Sequence, residues 1–160
     1  MKTPIIFLDI DGVLNKMNTT ERFNGYTGID KELLIIFNGM INQCPSDTRI
    51  VLSSTWRLYP NHLEYVRERI NIFDVTPSPH TIKDGTWGMR RTNRGEEISE
   101  WISNNEGEIS IYAVLDDDFF GLEDSGLKCF MTTDGITEEI SDSLVEYLCG
   151  VDTSPRSGVV

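Results

Sequence analysis

Apolar residues fall into two rhythms along this chain. Short, nearly continuous apolar runs end in a polar residue: Lys2 to Asp9 (KTPIIFLD), Ile50 to Ser53 (IVLS) and Ile109 to Asp116 (ISIYAVLD). Such runs suit strands buried on both faces, as in a parallel sheet. Ile70 to Val75 and Leu127 to Met131 are weaker strand candidates. Between the runs, apolar positions recur at helical spacing. Asp30 can cap a helix through about Gln43, with Leu33, Leu34, Phe37 and Ile41 on one face. Pro60 to Ile70 reads as a second helix, with Pro60 near its first turn. Arg94 to Asn104 is a third, with Ile98, Trp101 and Ile102 as its stripe. Thr137 can cap the last, where Glu138 and Glu139 suit the helix dipole and Ile140, Leu144, Val145 and Leu148 form the apolar face. Alternating strands and helices predict an α/β fold, a parallel sheet of about five strands with helices on both faces. Such sheets bind ligands at the carboxyl ends of their strands. Asp9, Ser53 and Asp116 fall at those ends.

Composition narrows the class. The 160 residues make one domain, expected over 1–152, with a Ser/Pro/Gly-rich tail at 153–160 expected to fray. A 39% hydrophobic and 25% charged chain is ordinary for a globular protein. No apolar run approaches the ~20 residues that span a bilayer. The run from Pro4 to Leu8 is too short for the ~7–15-residue core of a secretory signal. The expectation is a cytoplasmic protein with no membrane partner and no obligate protein partner. Cys44, Cys129 and Cys149 are odd in number and lack a C-x-x-C pair, which suits buried reduced thiols rather than zinc. The net charge of −12 argues against a general nucleic-acid coat. Residues 96–152 hold 16 acids against Lys128 alone. By contrast Lys83, Arg90, Arg91 and Arg94 face only Asp84 within 83–94, either a solvated loop or a phosphate-facing patch.

The sharpest chemical signal is Phe7-Leu8-Asp9-Ile10-Asp11-Gly12-Val13-Leu14. Two carboxylates two apart at a strand end repel each other when unpaired. A divalent cation removes that cost, and hard carboxylate oxygens suit magnesium. Gly12 lets the chain turn closely past a ligand. This D-x-D-G-x-L segment resembles the haloacid dehalogenase (HAD) superfamily of phosphatases. The resemblance implies a Rossmann-like fold, with Asp9 as the nucleophile that forms an aspartyl phosphate. It implies Asp11 as the acid that protonates the leaving group and the base that then activates water.

The same resemblance supplies further stations in order. A Ser or Thr at the end of the second core strand holds the phosphoryl group. Ser53 fits, with Ser54 directly behind it as the alternative register. A cation at the start of a late helix balances the phosphate, here Arg94, with Arg90 and Arg91 as rivals. An Arg in place of the more usual Lys offers a fork that matches phosphate oxygens. An acidic pair after an apolar strand holds the metal. Asp116 and Asp117 fit, and Asp118 is left as a loop acid. The implied magnesium ligands are Asp9, Asp11 (by its backbone carbonyl), Asp116 and Asp117.

Ser53-Ser54-Thr55-Trp56-Arg57, the Arg94-Gly95-Glu96-Glu97-Ile98 helix start and Thr133-Asp134-Gly135-Ile136-Thr137 look like a narrower group. It is the small HAD domains of RNA-repair (Swiss Army Knife) proteins and polynucleotide phosphatases. That implies a nucleotide or nucleic-acid terminal phosphate as substrate. Trp56 could stack on a base or sit in the core. Arg57 could touch phosphate or brace a carboxylate. Trp87 shares the ambiguity of Trp56, and His62 and His80 are not needed. The segments 15–29 and 76–93 are too short for a large cap, so a minimal cap is expected. A calcium loop fails, because Val13, Leu14 and Thr20 occupy its fifth, sixth and twelfth positions. A signalling receiver fits poorly, since the middle strand ends in Ser53 rather than Asp. A binding module without turnover, or a phosphatase of small metabolites, remains the alternative.

Overall fold

The computed structural model describes residues 2–77, 80–83, 86–89, 93–119 and 121–150, with 80–83 and 86–89 described by backbone alone. The first half comprises β1 (Thr3–Leu8), β2 (Arg22–Phe23), β3 (Tyr26–Thr27), α1 (Lys31–Gln43), β4 (Arg49–Leu52), a 3-10 turn (Thr55–Leu58), α2 (Pro60–Arg67) and β5 (Ile72–Val75). The second comprises β6 (His80–Lys83), β7 (Thr86–Met89), α3 (Arg94–Asn104), a 3-10 turn (Glu106–Glu108), β8 (Ile109–Asp116), β9 (Cys129–Met131) and α4 (Glu138–Leu148). The predicted tail, 153–160, lies outside the described residues, as do Arg90 and Arg91.

Five strands form one parallel sheet in the order β5-β4-β1-β8-β9. All six residues of β1 are buried, which is why its sequence is continuous rather than alternating. The pleat sends alternate residues to opposite faces. Ile6 and Leu8, with Leu52 and Leu115, face α1, α2 and α4 through Phe37, Met40, Tyr65, Val66 and Leu144. Ile5 and Phe7, with Val51 and Val114, face α3 through Ile98 and Trp101. Phe7 meets Trp101 edge-on at 5.5 Å. Helices therefore cover both faces, as the pattern predicts.

The caps at Asp30 and Thr137 form as expected, accepting from Glu32 and Leu33 and from Ile140 respectively. A third cap, Asn93 accepting from Glu96, starts α3. Helix α2 stops at Arg67 rather than Ile70, although Ile70 still donates to the Val66 carbonyl at 2.8 Å. Two antiparallel hairpins, β2–β3 and β6–β7, occupy segments that read as polar loops. Strands of two residues are too short to show alternation. The Asn24-Gly25 turn between β2 and β3, at φ 48° and 83°, is nevertheless a recognisable hairpin signal. Among the described residues, no helix is long and apolar enough to cross a membrane.

Cys44 ends α1 and is buried, whereas Cys149 ends α4 and is exposed. Burial first, and Cys149 second, push the Cys44 thiol up to about 11. The thiolate is the reactive form, so Cys44 stays protonated at mildly alkaline pH. Alkylation at pH 8 followed by peptide mass spectrometry is expected to label Cys149 in the native protein and Cys44 only after denaturation. Equal native labelling would contradict this packing.

Candidate active site

Three carboxylates converge at the carboxyl edge of the sheet. Asp9 is the first residue past β1, and its N–H still bonds the Leu115 carbonyl of β8 at 3.0 Å. Asp116 ends β8, and Asp117 follows. Oxygens of Asp9, Asp116 and Asp117 all lie within 4.8 Å of one another. Asp116 is fully buried, and Asp9 is 6% exposed. The Oδ1 of Asp116 accepts the N–H groups of Asp117 and Asp118 at 2.8 and 3.0 Å. Its Oδ2 accepts Nη1 of Arg94 at 2.7 Å. The same nitrogen lies 3.3 Å from Oδ1 of Asp9. Arg94 is the first residue of α3, so the positive end of that helix points the same way.

Burial, followed by the charge of Asp116, holds the Asp9 carboxyl well above the usual carboxylate range. Arg94 offsets only part of this. Asp117 is also raised, chiefly by burial. Burial works against the charge of Arg94, but Asp9 and Asp116 outweigh it and raise its affinity for the proton. Burial and the neighbouring carboxylate of Asp116 both disfavour the charged forms of Asp9 and Asp117. An all-oxygen donor set in such surroundings fits a hard divalent cation. Asp9, Asp116 and Asp117 are the residues that would hold it. The carboxylate of Asp11 is not in this group. It accepts instead from Asn15 Nδ2 at 2.9 Å and from Trp56 Nε1 at 3.0 Å.

Gly12 has φ +79°, and a Cβ there would collide with the Asp117 carboxylate. Its carbonyl accepts from Gly135 N–H at 2.9 Å and from the Thr132 hydroxyl at 2.6 Å. Ile136 N–H bonds the Val13 carbonyl at 2.8 Å, and Asp134 accepts from Met17 N–H at 3.0 Å. The 132–136 segment thus staples the loop that carries Asp9 and Asp11.

Ser53 follows β4, with its N–H bonded to the Leu8 carbonyl at 2.9 Å, so it sits beside Asp9. Its hydroxyl is buried and without a hydrogen-bond partner. Thr76, past the end of the outer strand β5, shares that state. Ser54 does not share it. Its oxygen caps the 3-10 turn by accepting from Trp56 N–H at 3.2 Å. Of the two hydroxyls, that of Ser53 is therefore the uncommitted one.

Two expected substrate contacts are corrected. Trp56 is 5% exposed and packed among Phe23, His62 and Tyr65, so its faces are not open to a base. Arg57 is 7% exposed, and all of its N–H groups are taken. They go to the carbonyls of Ser53, Ser54, Thr76 and Pro77 and to the Glu97 carboxylate at 3.2 Å. Arg57 therefore braces strand ends and Glu97 rather than reaching phosphate. Arg90 and Arg91, the rival cations and substrate contacts, lie outside the described residues.

A family model for the HAD domain in Swiss Army Knife RNA repair proteins matches residues 5–139. The chain belongs to this HAD family. Membership points to a hydrolase of the phosphatase type. No curated protein matches the chain. The matched span includes the residues just described, from Asp9 to Ile136.

Asn15, Glu97, Thr132 and Asp134 support this HAD site but carry no isolated sequence signal. The Arg94-Gly95-Glu96-Glu97-Ile98 and Thr133-Asp134-Gly135-Ile136-Thr137 resemblances touched Glu97 and Asp134. Breaking a buried ion pair costs ~3–5 kcal/mol. Arg57→Met is accordingly expected to lower the unfolding free energy in urea by about that much. A variant of unchanged stability with only a raised KM would restore the phosphate role. Gly12→Ala adds φ strain and displaces Asp117, so it is expected to weaken divalent-cation binding in calorimetry by roughly tenfold or more.

Proposed function

We propose that this HAD domain, over residues 1–152, is a magnesium-dependent phosphomonoester hydrolase working through an aspartyl phosphate on Asp9. The observation that carries this is the buried Asp9 carboxylate, grouped with Asp116 and Asp117 and bridged to Asp116 by Arg94. Bound magnesium would supply charge neutralisation for the acids and the phosphate. The protein residues supply the rest. A carboxylate oxygen of Asp9 attacks phosphorus, and the bond from phosphorus to the leaving oxygen breaks. Asp11 gives a proton to that oxygen. Ser53 and Arg94 hold the other phosphoryl oxygens. Water then attacks phosphorus while Asp11 takes back a proton. Inorganic phosphate leaves and Asp9 is restored.

For substrate, we favour a nucleotide or a nucleic-acid terminal phosphate. The family's link with RNA repair supports this. So do Tyr26 and Tyr59, which are 59% and 58% exposed. Each lies against the ring of His62, at 4.9 and 5.6 Å, and His62 packs on Trp56. Stacking of one base on such a rim is worth ~1–3 kcal/mol.

Asp9→Asn is expected to cut turnover of phosphorylated oligonucleotides by ~10³-fold or more with unchanged circular dichroism. A chelator should abolish wild-type turnover and added magnesium restore it. Wild-type rates in Asp9→Asn would remove Asp9 as nucleophile. A binding module without turnover would show no magnesium-dependent hydrolysis at all. For the substrate class, combined Tyr26→Ala and Tyr59→Ala should raise KM about tenfold for base-bearing ends and leave ribose 5-phosphate unaffected. Equal effects on both would point to a small-metabolite phosphatase.

A further inference from the structure

Asp11 is exposed at the surface, yet its carboxylate is held on both oxygens. Trp56 Nε1 donates to Oδ2 at 3.0 Å, and Asn15 Nδ2 donates to Oδ1 at 2.9 Å. Neither donor is loose. Trp56 is wedged by the rings of His62, at 5.0 Å and 89°, and Tyr65, at 6.0 Å. The Ser54 cap fixes its backbone. Asn15 is 5% exposed, and its Oδ1 accepts from Gly12 N–H at 2.9 Å. That bond decides which end of the amide faces Asp11. Gly12 is itself stapled by Thr132 and Gly135.

The two donors come from different connections, one after β1 and one after β4. They meet on a single side chain that solvent would otherwise leave free to rotate. Bonds to both oxygens restrict rotation about both side-chain torsions. We propose that Trp56 and Asn15 are positioning residues that aim the Asp11 carboxyl at the leaving oxygen. This rests on the acid/base role given to Asp11 above.

Each Asp11 oxygen has one lone-pair direction taken by an N–H and one left over. The transferred proton occupies a remaining direction. Its O–H bond breaks as the bond from phosphorus to the leaving oxygen breaks, and a new O–H forms on the leaving alkoxide. Nothing else is consumed. Aim matters because proton transfer requires hydrogen-bond reach. It matters most for an alkoxide, a poor leaving group. An aryl oxide departs with little help.

This distinction supplies the experiment. The full chain, as wild type, Trp56→Phe, Asn15→Ala and Asp11→Asn, is assayed with magnesium on p-nitrophenyl phosphate and on a 3′-phosphorylated oligonucleotide. The readout is kcat/KM, which reports the first phosphoryl transfer and not the later hydrolysis. Trp56→Phe keeps a ring in the pocket and removes the N–H. It is expected to lower kcat/KM on the alkyl ester roughly ten- to a hundredfold, within the range of general acid catalysis, with the aryl ester changed less than about threefold. Asn15→Ala, which leaves the indole in place, must show the same bias, and Asp11→Asn a larger one. Equal losses on both esters in Trp56→Phe and Asn15→Ala would mean a structural role only and would overturn the proposal. No loss on either would overturn it as well. In both cases Asp9-dependent turnover by the wild type would leave the phosphatase assignment standing. Absence of that turnover would bring down both.

Discussion

Negative charge is packed more tightly at the carboxyl edge of this sheet than a buried environment tolerates. Asp9 and Asp116 are buried side chains on adjacent strands, and Asp117 adds a third carboxylate within 4.8 Å. Carboxylates that close cannot all ionise without compensation. One guanidinium nitrogen of Arg94 is shared by two of them. Among the described residues, Arg94 is the cation paired with this group of three acids, which leaves a deficit. A bound divalent cation would offset that deficit. Burial first, and the charge of Asp116 second, raise the Asp9 carboxyl in the same setting.

Holding such a cluster requires rigid surroundings, and the fold provides them from several directions. The stretch 132–136 ties down the loop after β1 through Gly12, Val13 and Met17. The loop after β8 closes on Asp116 through the N–H groups of Asp117 and Asp118. The absence of a side chain at Gly12 lets these two loops touch. The contacts of the 132–136 stretch with Gly12, Val13 and Met17 are local in space and distant in sequence.

That distance explains what was legible beforehand. Strands and helices could be read because burial on both faces of β1, β4 and β8 leaves continuous apolar runs, and because Asp30 and Thr137 are strong caps. The five-strand parallel sheet, its helices on both faces and the family membership follow the pattern. Side chains whose type matches a motif, such as Asp9 and Asp116, could be placed. Partners could not. Trp56 and Arg57 read as substrate contacts because an aromatic and a cation beside a strand end look available. Whether their N–H groups are already taken depends on Asp11, Thr76, Pro77 and Glu97, up to 45 residues away. The β2–β3 hairpin escaped notice for a simpler reason. Its two-residue strands carry no periodicity, and only the Asn24-Gly25 turn marks it.

The first turn of α3 shows how closely brace and chemistry are joined. Arg94 and Glu97 are three residues apart, so they lie on the same side of the helix. Arg94 reaches the carboxylates of Asp9 and Asp116, while Glu97 reaches Arg57. Arg57 in turn grips the carbonyl of Ser53, whose hydroxyl is buried without a partner. One helical turn therefore sets both the cation and the hydroxyl that would grip a phosphoryl group from two sides. Gly95, between them in the chain, has no Cβ because Gly121 packs there. Moving α3 would move both grips together. The buried Arg57–Glu97 ion pair thus ties the Ser53 segment to the helical turn that carries Arg94.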